Sequence, residues 1–232
     1  MPVLVILPEL TAISGLPILI LVFVMIILGL WSVYANKKNK VLRKLKKTTI
    51  KKTALAKENE YIKVIGTLQT TTEPIISPIG KRECIGYQIK VEEKRKYKNN
   101  SWRTIMLEEK LLDFIIDSPQ GKAFIVFPSD ANNSLLYLVK NVVKKTGTWD
   151  NLPLFIEKSL TIHGKKSAGF LKSNKIFRYK ESIIEAGNKM VVAGVCSLKP
   201  SMHKLDRYSS KDLFISGSKS HKLVITDTPK AQ

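Results

Sequence analysis

The chain has 232 residues, with 39 Lys plus Arg against 19 Asp plus Glu, for a formal net charge of +20. Its two cysteines, Cys84 and Cys196, are too few for a disulfide framework or a cysteine-rich zinc module. Both lie in apolar surroundings, RECIGYQI and VAGVCSL, where a cysteine usually packs as a small hydrophobe.

No charged residue falls between Glu9 and Lys37. From Leu16 to Tyr34 nearly every residue is Leu, Ile, Val, Phe, Met, Trp or Tyr. A hydrocarbon core about 30 Å thick needs roughly 20 apolar helical residues, and backbone polar groups inside it must satisfy one another. The stretch therefore predicts a transmembrane helix over 16–36. Trp31 and Tyr34 sit where amphipathic rings favour the headgroup level, and Pro17 is expected in or before the first helical turn. A cleaved signal peptide would need a basic start, a shorter core and a small-residue cleavage site; Glu9 is the only charged residue before the core.

The helix is followed by a basic juxtamembrane linker, 37–59. Lys37, Lys38, Lys40, Arg43, Lys44, Lys46, Lys47, Lys51 and Lys52 fall there, and none of the residues before the core is basic. The positive-inside rule then puts residues 1–15 outside and the C-terminal bulk in the cytoplasm. These side chains are expected to meet anionic lipid headgroups, at about 1 kcal/mol per basic residue near the surface. Val41, Leu42 and Leu45 would let a short helix lie along the interface. A nucleic-acid reading of the run is disfavoured, because it lacks aromatics for base stacking.

Beyond the anchor and its flank about 170 residues remain, one ordinary domain. YIKVIGTLQT, from Tyr61, reads as a strand. TTTEPIISPIGKRE reads as a loop with a turn at Pro78-Ile79-Gly80. CIGYQIKVEEKRKYK is a second strand running into a hairpin tip at KNNS, and SWRTIMLEEKLLDFIIDS is its return. DFIIDSPQGKAFIVF is a hairpin turning at Asp117–Gly121. SLLYLVKNVVKKTG is ambiguous between helix and strand, NLPLFIEKSLTIHG is mixed, and GKKSAGFLKSNK reads as a loop. KIFRYKESIIEAGNKMVVAGVCSL is a strand pair around Ala186-Gly187-Asn188, with Gly194 marking a bulge or close backbone approach. DLFISGSKSHKLVITDT gives two short strands. The sum is one β-rich domain, all-β to α+β, as a barrel or sandwich over 60–226, with 227–232 as a tail.

Catalytic signals are weak. His163, His203 and His221 are isolated, with no metal-ligand spacing; no metal or cofactor is expected and no catalytic set is assigned. No GxSxG, P-loop or dinucleotide fingerprint occurs. Glu181 precedes an Ile-Ile pair and a Gly turn and is expected to hydrogen-bond that nearby turn.

Several of these residues carry a resemblance. EPIISPIGKRECIGYQIKVEE resembles the opening of the GIDE domain, the membrane-associated domain of mitochondrial ubiquitin-protein ligases and of prokaryotic relatives. Ser77, Pro78, Cys84 and Tyr87 fit its opening, Trp102 its hairpin tryptophan, and Phe114, Asp117 and Gly121 its F-x-x-D-x-x-G turn. Tyr179, Glu181, Gly187 and Gly194 fit its closing pattern. The resemblance implies a membrane-anchored module attached to ubiquitin transfer. In the ligases a second membrane helix and a zinc-binding RING finger follow; this chain has neither, and two cysteines do not build a RING.

Two functions are thus expected. The first is a single-pass membrane protein presenting a GIDE-like binding or scaffolding module to a protein partner in the cytoplasm, with Tyr97 and Trp102 as candidate contacts. The alternative is a component of a ubiquitin-protein transferase system, with the ligase on another chain. A bolder form of it makes Cys84 an acceptor thiol, activated by Lys81 and Arg82.

Overall fold

A computed structural model describes residues 10–95, 101–119, 121–139, 142–145, 152–162, 164, 176–200 and 211–231. Tyr97, His163, His203, the hairpin tip at 98–100 and the loop expected at 165–175 lie outside the described residues.

Helix α1 (Leu10–Ala35) contains the apolar stretch, and α2 (Lys37–Lys47) follows it after one residue. The strands are β1 (Tyr61–Thr70), β2 (Ile75–Ile76), β3 (Glu83–Cys84), β4 (Gly86–Lys94), β5 (Trp102–Leu111), β6 (Phe114–Ser118) and β7 (Gly121–Ile125). After them come β8 (Ser134–Tyr137), β9 (Val142–Lys145), helix α3 (Leu154–Ile162), β10 (Phe177–Ile184), β11 (Lys189–Pro200), β12 (Lys211–Ser216) and β13 (Leu223–Thr226).

The principal sheet closes on itself. β1 pairs with β6, β6 with β7, β7 with β12, β12 with β11, and β11 returns to β1. A closed ring leaves its member strands without a free edge along the paired length. The alternation of β1 sends Ile62, Val64 and Leu68 inward, where they meet Phe114, Ile116, Ile125, Met190, Val192 and Ile215. β13 lies beside β11 on the same side as β12, and β8 pairs parallel to β13.

A second sheet, in the order β5-β4-β10-β9, is antiparallel throughout. One face buries Tyr87, Ile89, Val91, Phe177, Tyr179 and Ile183 under Ile156 and Leu160 of α3. The other end of the sheet merges with the barrel, because Ile85, Leu111 and Ile184 belong to the barrel core.

Several expectations change. The helix begins at Leu10, so Pro17 lies inside it rather than in its first turn; it removes one backbone hydrogen bond, and the turns around it carry the helix past that gap. The stretch read as a β5 return ending in LLDFIID is two strands, broken at Leu112–Asp113, and they join different sheets. SLLYLVKNVVKK likewise divides into β8 and β9, one per sheet. β10 and β11 flank the expected turn but do not pair with each other. Gly187 takes the left-handed φ of +83° there, and the turn passes the chain from the second sheet into the barrel. It is anchored by paired bonds to β1, Gly187 N–H to the Leu68 carbonyl and Leu68 N–H to the Asn188 carbonyl, each 2.9 Å. The start of the segment set apart as a tail is packed: Thr228 is buried, and Asp227 accepts the Val139 N–H at 2.8 Å.

Gly194 marks a close approach. A Cβ there would lie 2.6 Å from both Ile215 Cγ2 and the Ser216 carbonyl oxygen. Gly194→Ala is expected to destabilise the barrel by about 2 kcal/mol through overpacking, read as a lower denaturation midpoint of the full chain in detergent, with unchanged slope. A stability equal to wild type would mean that β11 and β12 are not this close.

Candidate functional site

The junction between α1 and the β domain gathers most of the residues that the sequence assigned to the membrane surface. Asn36 alone separates the two helices; its side chain accepts the Lys38 N–H at 3.0 Å and caps α2. Asn39 Nδ2 reaches back to the Val33 carbonyl at 2.7 Å, joining the Asn36 N–H on that acceptor at the end of α1. The stripe Val41/Leu45 is one helical turn apart on one face, and both are almost fully buried against Val191, Ala193 and Val224 on the outside of the barrel. At the far end of α2, Lys63 Nζ donates to the Leu45 carbonyl at 3.1 Å, a cation at the negative end of the helix.

The region expected as a linker is therefore built into the domain; Val41 and Leu45 of its apolar stripe face protein rather than lipid, while Leu42 lines the open groove against α1. The nine basic residues divide accordingly. Lys37 pairs with Glu109 of β5 at 2.8 Å and Lys51 with Glu60 at 2.6 Å. Lys44 lies over the Tyr61 ring at 4.8 Å and donates to the Lys222 carbonyl at 3.3 Å; burial, then the charge of Lys222, lowers its pKa. Lys40, Lys46, Lys47 and Lys52 remain exposed, and Lys38 is half-buried. The Arg43 guanidinium stacks on Tyr34, 3.5 Å from the ring centroid. Helix α1 runs outward from this junction, and its segment Pro17–Ala35, of mean hydropathy 2.7, is long and apolar enough to cross a membrane. None of that segment is buried against the rest of the chain.

The motif residues are spread over both sheets and the turns between them. Cys84, Tyr87 and Tyr179 share the core under α3, and Ser77, Pro78 and Glu181 meet at the neighbouring turn around Gly80. Ser77 Oγ accepts the Arg82 N–H at 3.2 Å, and its backbone N–H donates to the Arg82 carbonyl at 2.8 Å, closing the turn that holds Pro78. Glu181 is buried, and its two oxygens accept the N–H groups of Ile79 and Gly80 at 2.9 and 2.8 Å. It does bond a turn, but that turn is the distant one at Ile79–Gly80. Tyr87 donates its hydroxyl to Glu108 at 3.0 Å, and burial together with that bond raises its pKa. Phe114, Asp117 and Gly121 belong instead to the β6–β7 hairpin of the barrel, where Asp117 accepts from Gln69 at 2.8 Å. Gly187 and Gly194 serve the turn and the strand contact already described. Trp102 stands at the start of β5 with the Arg178 guanidinium 4.3 Å above its ring.

Cys84 is 1% exposed. Burial, reinforced by Glu181 and Glu185, pushes its thiol up to about 11, and Arg82 only partly opposes this. Cys196 is likewise buried, and its thiol is pushed up to about 12. Among the described residues no group of three or more His, Cys, Asp or Glu side chains is placed to hold a metal.

One charged cluster was missed in the sequence. Glu92 is 5% exposed. It takes Lys90 at 2.8 Å, Arg178 at 2.7 Å and Lys180 at 2.7 Å. Burial alone raises the Glu92 carboxyl, but hydrogen bonds from Lys180, Lys90 and Arg178 outweigh it and hold the group at about 2. The available signal was alternation: Lys90 and Glu92 in β4, and Arg178 and Lys180 in β10, occupy the face opposite the apolar residues.

No protein-family model, no curated protein and no solved structure matches the chain.

Two outcomes follow from these environments. Glu92→Gln leaves three cations around a neutral group and is expected to cost about 3 kcal/mol. Because the folded pKa of Glu92 lies below the usual 4.5, its contribution is complete above that value and is lost as pH falls towards about 2. Thermal unfolding across that range should therefore show a steeper loss in wild type than in Glu92→Gln; parallel curves would contradict the assignment. Thiol titration of the native chain should be slow and limited by opening, since neither cysteine is exposed or ionised near neutral pH. Rapid reaction at Cys84 would restore it as a nucleophile candidate.

Proposed function

We propose that this chain is a single-pass membrane protein that holds a GIDE-like β-rich domain at the cytoplasmic surface as a binding or scaffolding module for a protein partner. The observation that carries the reading is the coupling at the junction. A solvent-exposed apolar helix of membrane length is joined through Asn36 to a helix that the barrel buries at Val41 and Leu45. A domain joined this way is carried at a set distance from the bilayer instead of ranging on a tether. The basic flank supports the cytoplasmic orientation. The GIDE resemblance supports the module reading through Ser77, Pro78, Cys84, Tyr87 and Glu181, which the fold brings to the core under α3 and the turn beside it.

The test uses the full chain expressed with a C-terminal tag. It should stay with membranes through alkaline extraction, and the tag should be cut by protease only when the cytoplasmic face is open. Crosslinking in intact membranes should capture a protein partner, with capture lost on deletion of 60–226. Release by alkali would reject the anchor, and tag cleavage from outside would reject the orientation. Capture that survives the deletion would assign binding to the anchor and basic flank.

A further inference from the structure

We infer that the elbow between α1 and α2 is a binding site for a single anionic phospholipid, an inference that rests on α1 spanning a bilayer. The elbow forms an open groove of about 630 Å³. Ile27, Leu30 and Trp31 line it from α1, Leu42 and Arg43 from α2, and Tyr34 lies between the two groups.

Depth comes first. Ile27 precedes the end of α1 by two turns, a descent of roughly 12 Å at 1.5 Å per residue. A groove reaching from Ile27 to Arg43 thus runs from acyl-chain depth up to the headgroups. Its lower walls are aliphatic and aromatic, and an acyl chain is the apolar group that a bilayer supplies there.

Charge then selects the head. The Arg43 guanidinium carbon lies over Tyr34 at 3.5 Å from the ring centroid, a contact that favours this position without neutralising the charge. Among the described residues no carboxylate pairs with Arg43, and α2 itself, KKNKVLRKLKK, contains no acidic side chain. A guanidinium presents a planar fork of donors suited to a phosphate diester. The uncompensated Arg43 charge also repels the ammonium that a zwitterionic head carries beside its phosphate, and no such repulsion opposes an anionic head. A basic flank in contact with a membrane attracts anionic lipid over its whole surface. The elbow differs in having an open apolar groove for the chain and one guanidinium placed over a ring for the phosphate.

The experiment puts the full chain in lipid nanodiscs, with Trp102→Phe and Trp149→Phe leaving Trp31 as the sole tryptophan. Trp31 lines the groove, so quenching by acyl-brominated lipid reports what lies in it. Brominated phosphatidylglycerol should quench Trp31 at lower mole fraction than brominated phosphatidylcholine, by about fivefold for one basic residue acting on a net anionic head. Arg43→Gln should abolish the preference, and Lys46→Gln with Lys47→Gln should retain it. Circular dichroism of each variant verifies that α2 and the barrel remain folded, and Arg43→Lys, which keeps the charge, should retain part of the preference. Equal quenching by the two lipids in the parent, or a preference lost with Lys46 and Lys47 but kept without Arg43, would overturn the inference. Absence of quenching by either lipid would overturn it together with the membrane reading, and is distinguishable from equal quenching.

Discussion

Burial of Val41 and Leu45 against β11 and β13 fixes the relation between the two halves of the molecule. A side chain of this size, fully removed from water, contributes about 1.5–3 kcal/mol, so the pair outweighs any of the exposed ion pairs around it. The contact makes α2 part of the domain and leaves Asn36 as the only residue between domain and apolar helix. Lys37–Glu109 adds a second tie, from the first turn of α2 to β5. One element thus touches both sheets.

β11 is the other point of convergence. It pairs with β1 along one edge and with β12 and β13 along the other. Its inward residues Met190, Val192 and Cys196 belong to the barrel core, while Val191 and Ala193 underlie α2. A strand covered on both faces carries an uninterrupted apolar run, which is what MVVAGVC provides. The second sheet solves a different problem. Its α3-facing side is apolar and its opposite side carries Lys90, Glu92, Arg178 and Lys180, so burial at 5% exposure is tolerable for Glu92 only with its cations in place.

The readable parts of the sequence were those with a strong local period. The apolar helix, β1, the β6–β7 hairpin and the strands around Gly187 all declared themselves through hydrophobic spacing and turn residues. Which strands pair did not, because pairing is decided by contacts between distant segments. The Ala186–Asn188 turn looks locally like any hairpin turn, yet it joins two sheets. The same limit applies to α2. Its stripe at Val41 and Leu45 was visible, but periodicity says only that a face is apolar, not whether lipid or protein covers it. Glu181 shows both sides of this: its role in bonding a turn was legible, and the turn itself was a hundred residues away from the one beside it in sequence.

The closed ring of strands also sets an order on synthesis. β1 emerges early, but its partner β11 and the closing strand β12 lie near the end of the chain. Until they arrive, the apolar faces of β1, β6 and β7 have no enclosure, and non-local pairings of this kind form slowly. α1 and its basic flank precede all of them. A nascent chain of this design would wait, half-built and with its strand edges open, until β11 and β12 are made, so the interval before closure is the one in which it is most exposed to aggregation.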